Sequence, residues 1–266
     1  MSELKIGFIG GGALTESLVA GIVGKVLPTA NIFVSDHKSS RCDYLCNQYG
    51  VNATVGAESF RAAVDVLFLS VKPKDAAKAM AENAAVGKNV LIVSVMAGVT
   101  LNKIEAAFPA NPCVRVLPIT PQSVGAGLAA YALGTKAEEA HRAFIEKIFG
   151  AVGKTAAITE NLMDAATGLS GSGPAFVFLA IDALTDGGVA AGLPRKTAQL
   201  MAAQTVMGAA KMVLDTGKHP DELRDMVTSP AGTTIAGVRA LEKNAFRSSL
   251  IEAVLSATKR SEELGK

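Results

Sequence analysis

The sequence has little excess charge of either sign and few cysteines, and both features limit the partners and the cellular compartment that we expect for it. Its 26 Lys and Arg nearly balance 24 Asp and Glu, which gives a formal net charge of +2, and 19% of its residues are charged. No basic run concentrates that charge, so we expect neither a nucleic acid nor a membrane surface as partner. Cys42, Cys46 and Cys113 are an odd number of cysteines, which fits free thiols in a reducing compartment.

Targeting segments and metal ligands are also lacking. The N-terminus enters a strand pattern directly, without a charged region before an apolar segment, so we expect no signal or transit peptide and a cytoplasmic protein. Asp182 and Asp186 interrupt the most apolar stretch before it reaches the ~20 residues that a bilayer requires, which predicts a buried helix and no membrane span. Cys42 and Cys46 have i, i+4 spacing, but no nearby Cys or His completes a metal site.

The N-terminal stretch predicts a strand, a glycine turn and a helix. Leu4 to Ile9 are mostly β-branched or apolar, three consecutive glycines follow, and a helical pattern comes next. Such a turn aims backbone N–H groups and the positive end of a helix dipole at one point, which suits a dinucleotide pyrophosphate. In the G-x-G-x-x-G/A pattern of dinucleotide-binding turns, Gly10 would permit the tight turn, and Gly12 would permit the backbone to approach the pyrophosphate closely. Thr15 stands at the third conserved position and is bulkier than the glycine or alanine that this position prefers. A structural hairpin is the alternative.

Up to residue 159 the chain alternates between strand and helix patterns. This alternation, with near-continuous apolar strands, predicts a parallel, doubly wound Rossmann-type sheet whose ligand crevice lies at the carboxyl ends of the strands. Prolines at 118 and 121 should stop the fifth of these strands, and a serine should cap the helix that begins at residue 39. The predicted strands are Leu4 to Ile9, Asn31 to Ser35, Val64 to Val71, Val90 to Val95, Cys113 to Leu117 and Lys154 to Ile158. The predicted helices begin at Leu14 and cover Ser39 to Tyr49, Lys74 to Ala84 and Val99 to Phe108.

From residue 160 to the end the pattern is helical throughout, which predicts an all-helical second domain. Ala175 to Ala191 is apolar around much of its circumference, which is typical of a helix buried on several sides. In a domain of this size one route to such burial is a partner subunit, so we expect a homodimer, or a higher homo-oligomer built from dimers. The predicted helices are Asn161 to Gly168, Ser172 to Ala191, Arg195 to Thr216, Pro220 to Val227, Thr233 to Lys243 and Phe246 to Leu264.

The loops that follow the strands are the expected cofactor site. Lys72, followed by a proline at the end of a buried strand, is held on a stiff backbone there, although an ordinary surface lysine is an equally good interpretation. The candidate cofactor-binding residues are Gly10, Gly11, Gly12, Ala13, Leu14, Ser35, His37, Lys38, Val71, Lys72, Pro73, Ala97 and Gly98.

The end of the second strand bears on which nicotinamide cofactor binds. Asp36 could be the acid that binds the ribose 2′-OH of NAD, but Ser35 closes the strand, and Lys38, Ser39 and Arg41 offer donors and positive charge for a 2′-phosphate. We therefore expect NADPH, with NADH possible. The alternative is a solvated polar loop.

Two stretches of the helical half are rich in small residues and hydroxyls. One is Leu169 to Phe176, before the apolar helix, and the other is Val227 to Ile235, which ends one helix and begins the next. Hydroxyls and free backbone N–H groups at a helix N-terminus can bind a carboxylate without a cationic side chain. Ordinary helix capping is the alternative, but four hydroxyls within seven residues are more than a cap needs.

These residues together resemble pyrroline-5-carboxylate reductase over almost the whole chain. The C-terminal run of Ser and Thr is the most specific part, because glycine loops occur in many dehydrogenases. The segments that carry the resemblance are Gly10 to Gly12, Val71-Lys72-Pro73, Ala97-Gly98, Arg115 to Pro121, Leu169 to Pro174, Gly192-Leu193-Pro194, Ala209 to Met212, Thr228-Ser229-Pro230 and Gly232-Thr233-Thr234.

The resemblance implies reduction of the C=N bond of 1-pyrroline-5-carboxylate to give L-proline, in the last step of proline biosynthesis. It implies that Ser229, Gly232, Thr233 and Thr234 bind the substrate, with backbone N–H groups of Gly232 and Thr233 on its carboxylate. Thr234 would be the catalytic residue, with its hydroxyl on the ring nitrogen, and no His or Lys general base is required.

The chain departs from the family pattern at several positions. Ala13 stands where asparagine is usual, Ile119 interrupts a Pro-Asn-Thr-Pro segment, Ala231 replaces a glycine, and Phe176 stands where tyrosine is common. Two alternatives therefore stay open: another two-domain NADP reductase of the 3-hydroxyacid dehydrogenase type, for which Lys211 is the candidate lysine, and a cofactor-binding homologue with impaired catalysis.

Overall fold

The computed structural model describes residues 4–119 and 125–265. The chain forms two compact units, one made of Met1–Gly171 with Thr258–Lys266 and the other of Ser172–Ala257. Thr120 and Pro121, which belong to a predicted loop, lie outside the described residues.

The first unit is built on one eight-stranded sheet in the order β3-β2-β1-β4-β5-β6-β7-β8. All neighbouring strands are parallel except β6 and β7, so the predicted doubly wound fold is confirmed, with one antiparallel pair. The strand order reverses between β1 and β4, and this switch point is where α/β sheets bind ligands. The strands are β1 Ile6–Ile9, β2 Ile32–Ser35, β3 Asn52–Thr54, β4 Val66–Leu69, β5 Leu91–Ser94, β6 Cys113–Pro118, β7 Gly127–Leu133 and β8 Gly153–Ala157.

Helices cover both faces of this sheet, and alternate side chains of each strand enter two separate cores. Phe8 of β1 stacks on Phe68 of β4 at 4.6 Å between ring centroids in one core, while Ile9, Leu67 and Leu69 belong to the other. Burial on both faces explains why these strands read as continuous apolar runs. The α-helices of this unit are α1 Ala13–Ile22, α2 Ser39–Tyr49, α3 Ala76–Asn83, α4 Leu101–Ala107, α5 Glu139–Gly150 and α6 Met163–Ala166, with a 3-10 turn at Pro73–Asp75.

One predicted strand end is shifted by a residue, and one predicted helix cap is wrong. β6 ends at Pro118, one residue after its predicted end, with Pro118 opposite Ala129, and the Ile119 N–H still donates to the Leu128 carbonyl at 3.0 Å. Lys38, not a serine, is the N-cap of α2, and it caps without a side-chain hydrogen bond. Strands β3 and β7 and helix α5 were not predicted.

The second unit is helical, as expected. Its helices are α7 Gly173–Ala190, α8 Arg195–Thr216, α9 Pro220–Met226, α10 Thr233–Lys243 and the first part of α11 Phe246–Gly265. The expected burial of the apolar helix is not reached within one chain, because Thr185 is the only buried residue of α7 in the described chain. Large apolar side chains on α7 and α8 are exposed, with Leu179 at 71% and Leu200 at 69%.

One helical stretch of the described residues, Glu160–Ala190, has the length and composition of a membrane span. An 18-residue window of this stretch has a mean hydropathy of 1.3, and 6% of that window is buried. The stretch is not a uniform α-helix, because it begins with a 3-10 turn at Glu160–Leu162 and contains a π-helical turn at Thr167–Gly171.

Candidate functional site

The glycine turn after β1 is held against the end of β4. Gly10 has φ +105°, and a Cβ there would lie 2.4 Å from the Ser70 carbonyl oxygen, so glycine is required for both conformation and space. The Thr15 hydroxyl donates to the Gly10 carbonyl at 2.6 Å and lies 2.9 Å from the Ser70 hydroxyl. Thr15 therefore does not disturb the turn, because its hydroxyl ties the turn to the neighbouring strand.

The turn leads into the N-terminus of α1 with open space above it. Gly12 is the N-cap, receives no side-chain cap from the described residues, and is exposed, and a Cβ there would meet no atom of residues 4–119 or 125–265 within 4 Å. In residues 4–119, the N–H groups of Gly12, Ala13 and Leu14 have no hydrogen-bond acceptor. Such a helix N-terminus suits a pyrophosphate by its free donors and its dipole.

A cavity of about 680 Å³ lies at the carboxyl ends of β1, β2 and β4. Gly10, Ser35, His37 and Val71 from the predicted cofactor set line it. The other predicted positions lie outside its lining: Gly11, Gly12, Ala13, Leu14, Lys38, Lys72, Pro73, Ala97 and Gly98. The cavity has the location that the fold predicts for a dinucleotide.

The outlying cofactor candidates lie in two loops that follow strands. Lys72 is exposed and is the N-cap of the 3-10 turn that begins at Pro73. Gly98 has φ +72°, which favours glycine, and Ala97 beside it is exposed. Both loops follow central strands of the sheet, β4 and β5.

Arg41 does not line the cavity, and its guanidinium instead contacts main-chain carbonyls of the glycine turn. Nε donates to the Gly11 carbonyl and Nη2 to Glu16 Oε2, each at 2.5 Å, and Nη2 lies 3.4 Å from the Gly12 carbonyl. The guanidinium also lies 5.0 Å from the centroid of the Tyr44 ring. Sequence reasoning missed this role, because a partner 25 to 30 residues away leaves no local pattern.

Glu16 anchors this cluster beneath the turn. Its Oε1 accepts hydrogen bonds from the hydroxyls of Tyr44 at 2.8 Å and Tyr49 at 3.0 Å. Burial raises the pKa of Glu16, but the hydrogen bonds from Arg41 and both tyrosines outweigh it, so the pKa is lowered overall. Burial and the bond to this carboxylate together raise the pKa of Tyr49 to about 12.

Asp36 is fixed on the cavity side of the same turn. Its Oδ2 accepts the Gly11 N–H at 2.9 Å, and its Oδ1 accepts the Lys38 N–H at 3.0 Å. Asp36 and His37 both line the cavity, and His37 Nδ1 lies 3.2 Å from Asp36 Oδ1. A fixed acid and an exposed Lys38 therefore lie side by side where the second strand ends.

The predicted substrate residues lie in the second unit, around the N-terminus of α10. Gly232 is the N-cap without a side-chain cap, and its own N–H donates to the Ser229 carbonyl at 3.1 Å. A Cβ at Gly232 would lie 2.4 Å from Ser229 Oγ, so the loop closes tightly on this glycine. Within the described chain the N–H groups of Thr233 and Thr234 have no acceptor, and they are the donors left for a ligand.

Two further residues define this loop. Ala231 has φ +57°, a conformation that favours glycine, so the alanine is strained at the position where the family pattern has glycine. The Thr228 hydroxyl donates to the Arg224 carbonyl at 2.6 Å and thereby caps the C-terminal end of α9. Thr234 is half-buried, and its hydroxyl makes no hydrogen bond within residues 125–265.

No group of three or more His, Cys, Asp or Glu in the described residues could hold a metal.

Comparisons with known proteins match both units. A family model for pyrroline-5-carboxylate reductase dimerisation matches residues 160–264, and one for coenzyme F420-dependent NADP oxidoreductase matches residues 5–98. The pyrroline-5-carboxylate reductase of Arabidopsis thaliana is 48% identical, covering 99% of this chain and 96% of its own, and that of Escherichia coli is 39% identical, covering 99% of both.

Two solved structures of pyrroline-5-carboxylate reductases are also similar to this chain over its whole length. The pyrroline-5-carboxylate reductase of Coxiella burnetii has a TM-score of 0.93 at 33% identity, with 99% of each chain covered. The pyrroline carboxylate reductase of Plasmodium falciparum with NADP bound has a TM-score of 0.86 at 30% identity, with 100% of each chain covered.

Proposed function

The chain belongs to the pyrroline-5-carboxylate reductase family of oxidoreductases, and we propose that it reduces 1-pyrroline-5-carboxylate to L-proline with NADPH as hydride donor and NADH as a second donor. The observation that carries the choice of cofactor site is the open N-terminus of α1. There Gly12, Ala13 and Leu14 offer free N–H groups next to a cavity of about 680 Å³. A nucleotide pyrophosphate is the ligand that such a terminus suits.

The reaction needs little from acid or base side chains. Protonation of the ring nitrogen turns the C=N bond into an iminium, whose carbon then accepts a hydride. The protein must hold that carbon about 3–3.5 Å from the hydride donor, so orientation is its main contribution. This demand fits a helical unit whose loop offers hydroxyls and N–H groups.

The substrate carboxylate is assigned to the N-terminus of α10. Its ligands are the Ser229 hydroxyl and the N–H group of Thr233, supported by the tight turn at Gly232, and the Thr234 hydroxyl bonds the ring nitrogen as the catalytic group. The free N–H groups and the helix dipole favour an anion there. The Gly232 N–H donates to the Ser229 carbonyl, so Gly232 shapes the loop and its N–H does not bind the substrate directly.

The cofactor is assigned to the loops at the carboxyl ends of the strands. The pyrophosphate belongs to the turn from Gly10 to Leu14, and the ribose of the adenosine half to Ser35, His37 and Lys38. The nicotinamide half belongs to the loops that contain Val71-Lys72-Pro73 and Ala97-Gly98. Support comes from Gly10, Ser35, His37 and Val71, which line one cavity.

The chain is proposed to act as a homodimer, or as a higher oligomer built from dimers. Residues 1–159 form its nucleotide-binding domain and residues 160–266 its substrate-binding and dimerisation domain. The apolar side chains of α7 and α8 support this arrangement, because Leu179 and Leu200 are both more than two-thirds exposed in one chain. The Glu160–Ala190 stretch is assigned to the subunit interface and not to a membrane, and the enzyme to the cytoplasm with no nucleic-acid partner.

One experiment separates this function from its two alternatives. The purified chain is mixed with NADPH, and cofactor oxidation is followed after addition of the imine or of a 3-oxoacid. Oxidation by the imine alone supports the proposed function, and oxidation by the oxoacid alone supports the hydroxyacid dehydrogenase. Binding of NADPH with no turnover supports an impaired homologue that lacks the side chains replaced at Ala13 and Ile119.

A further inference from the structure

The loop after β2 combines a fixed acid, Asp36, with an exposed cation, Lys38, and this contrast bears on cofactor choice. The Asp36 side chain is 12% exposed, and its two oxygens accept the N–H groups of Gly11 and Lys38 at 2.9 and 3.0 Å. Two backbone donors therefore hold the carboxylate in one orientation. Since it also lines the cavity at the carboxyl end of β2, its charge is part of the cofactor site.

The opposite charges near this acid are not equivalent. Arg41 is bound to Glu16 and to the Gly11 carbonyl, so it is not available to a phosphate. Lys38 is exposed, and its ammonium forms no ion pair within the described residues. On the loop after β2, a 2′-phosphate would therefore meet one mobile cation, Lys38, and one fixed carboxylate, while Lys74 and Lys78 belong to another part of the cavity lining.

We propose that Asp36 is a specificity-determining residue that keeps NADH competitive with NADPH. An ionised carboxylate has about four acceptor positions, so Asp36 can accept a ribose 2′-hydroxyl besides its two backbone donors. A 2′-phosphate near the same oxygens is repelled by like charge, and this repulsion offsets the attraction to Lys38. The inference rests on the proposed function only in taking this cavity as the cofactor site.

The test measures binding of the two reduced cofactors to the whole protein, without substrate. Dissociation constants of NADPH and NADH are determined by fluorescence titration for the wild type and for Asp36→Asn, which keeps an acceptor oxygen and removes the charge. The wild-type constants should lie within about tenfold of each other, and Asp36→Asn should shift their ratio toward NADPH by about tenfold or more. Asp43→Asn is the matched control, because it removes the charge of an exposed aspartate on α2 that lies outside the lining of the cavity, and it should leave the ratio unchanged.

Two results would overturn the proposal. If Asp36→Asn weakens both cofactors by the same factor, Asp36 only positions the glycine turn through Gly11. A wild type that prefers NADPH by about a hundredfold or more also contradicts it, without any variant. Should Asp36→Asn not fold, Asp36→Ser removes the same charge and keeps a hydroxyl acceptor. A protein that shows the expected ratios but oxidises neither cofactor with the imine would refute the proposed function and leave this inference intact.

Discussion

Arg41 Nε donates to the main-chain carbonyl of Gly11 at 2.5 Å, on a turn whose N–H groups are proposed to bind the cofactor. A donor on the carbonyl side of a peptide fixes the direction in which the neighbouring N–H groups point. Because Glu16 pairs with the guanidinium, we infer that Arg41 stabilises the conformation of the turn and does not bind the phosphate. The two cations expected to meet a 2′-phosphate, Lys38 and Arg41, are thereby given separate roles.

Replacing Arg41 by alanine should raise the KM of NADPH and of NADH by the same factor, about tenfold if one charge-assisted bond of roughly 1.5 kcal/mol is lost. Lys38→Ala serves as the comparison, because its ammonium forms no ion pair with residues 4–119 or 125–265, and its loss should raise the KM of NADPH alone. Steady-state kinetics with both cofactors measure the effects. If Arg41→Ala harms NADPH only, the arginine turns to the phosphate when the cofactor binds.

The lowered pKa of Glu16 predicts a specific acid sensitivity. A carboxyl whose folded pKa lies below its ordinary value of 4.5 stabilises the fold above that pH, and the contribution is lost as pH falls through the folded pKa. Glu16→Gln should therefore lower the free energy of unfolding by about 1 kcal/mol at neutral pH and by less below pH 4.5. Urea denaturation at several pH values measures this. Glu139→Gln, at an exposed ion pair, should change little at any pH.

Strand and helix types in both units could be predicted because their signals are local. Buried parallel strands read as apolar runs, and α8 and α10 have the predicted bounds. β7 could not be predicted in the same way, because Gly127–Leu133 is rich in alanine and has neither β-branched residues nor alternation. It becomes a strand by antiparallel pairing with β6, a tertiary effect.

The candidate site was predictable to a similar degree. Its glycine turn and hydroxyl-rich loop have sequence patterns of their own, whereas the direction of a long side chain does not. Arg41 and Asp36 are five residues apart, yet one holds a carbonyl of the turn and the other accepts an N–H of the same turn. The tertiary placement of β2 and α2 beside the turn decides this.

The strained alanine of the substrate loop gives a stability prediction. Ala231 has φ +57°, where an L-residue with a Cβ costs about 1 kcal/mol relative to glycine. Ala231→Gly should therefore raise the free energy of unfolding by about 0.5 kcal/mol, after the greater entropy of glycine in the unfolded chain is subtracted. Thermal unfolding measures the change. Ala236→Gly, within α10, is the matched control and should destabilise by about 1 kcal/mol; a decrease of the same size at Ala231 would contradict the strain.

The exposed apolar face of α7 predicts the assembly. Leu179 is 71% exposed in one chain, and we expect it to be buried in an interface of more than ~2,000 Å², the range of obligate dimers. Leu179→Glu should leave the first unit folded and convert the protein to monomer in sedimentation velocity, because an unpaired charge at an apolar interface is costly. Ala62→Glu, exposed in the first unit, should sediment as the wild type does. A wild type that is monomeric and fully active in dilute solution would refute the dimer.

The substrate loop gives the most direct test of the chemistry. Thr234 lies in the first turn of α10, where free N–H groups and the helix dipole favour an anion, and its hydroxyl makes no hydrogen bond within the described residues. A hydroxyl that bonds the ring nitrogen as hydride arrives acts in the transition state. Its loss should then lower kcat/KM more than it changes stability.

Thr234→Ala is expected to lower kcat/KM for the imine by about tenfold or more, equivalent to ~1.4 kcal/mol, while the affinity for NADPH holds. Thr234→Ser should recover most of the loss, because the hydroxyl is kept. Thr228→Ala is the matched control in the same loop: its hydroxyl donates to the Arg224 carbonyl, so its removal should lower the melting temperature and leave kcat/KM nearly unchanged. If Thr234→Ala instead behaves as this control does, Thr234 only shapes the end of a helix, and the imine must bind elsewhere.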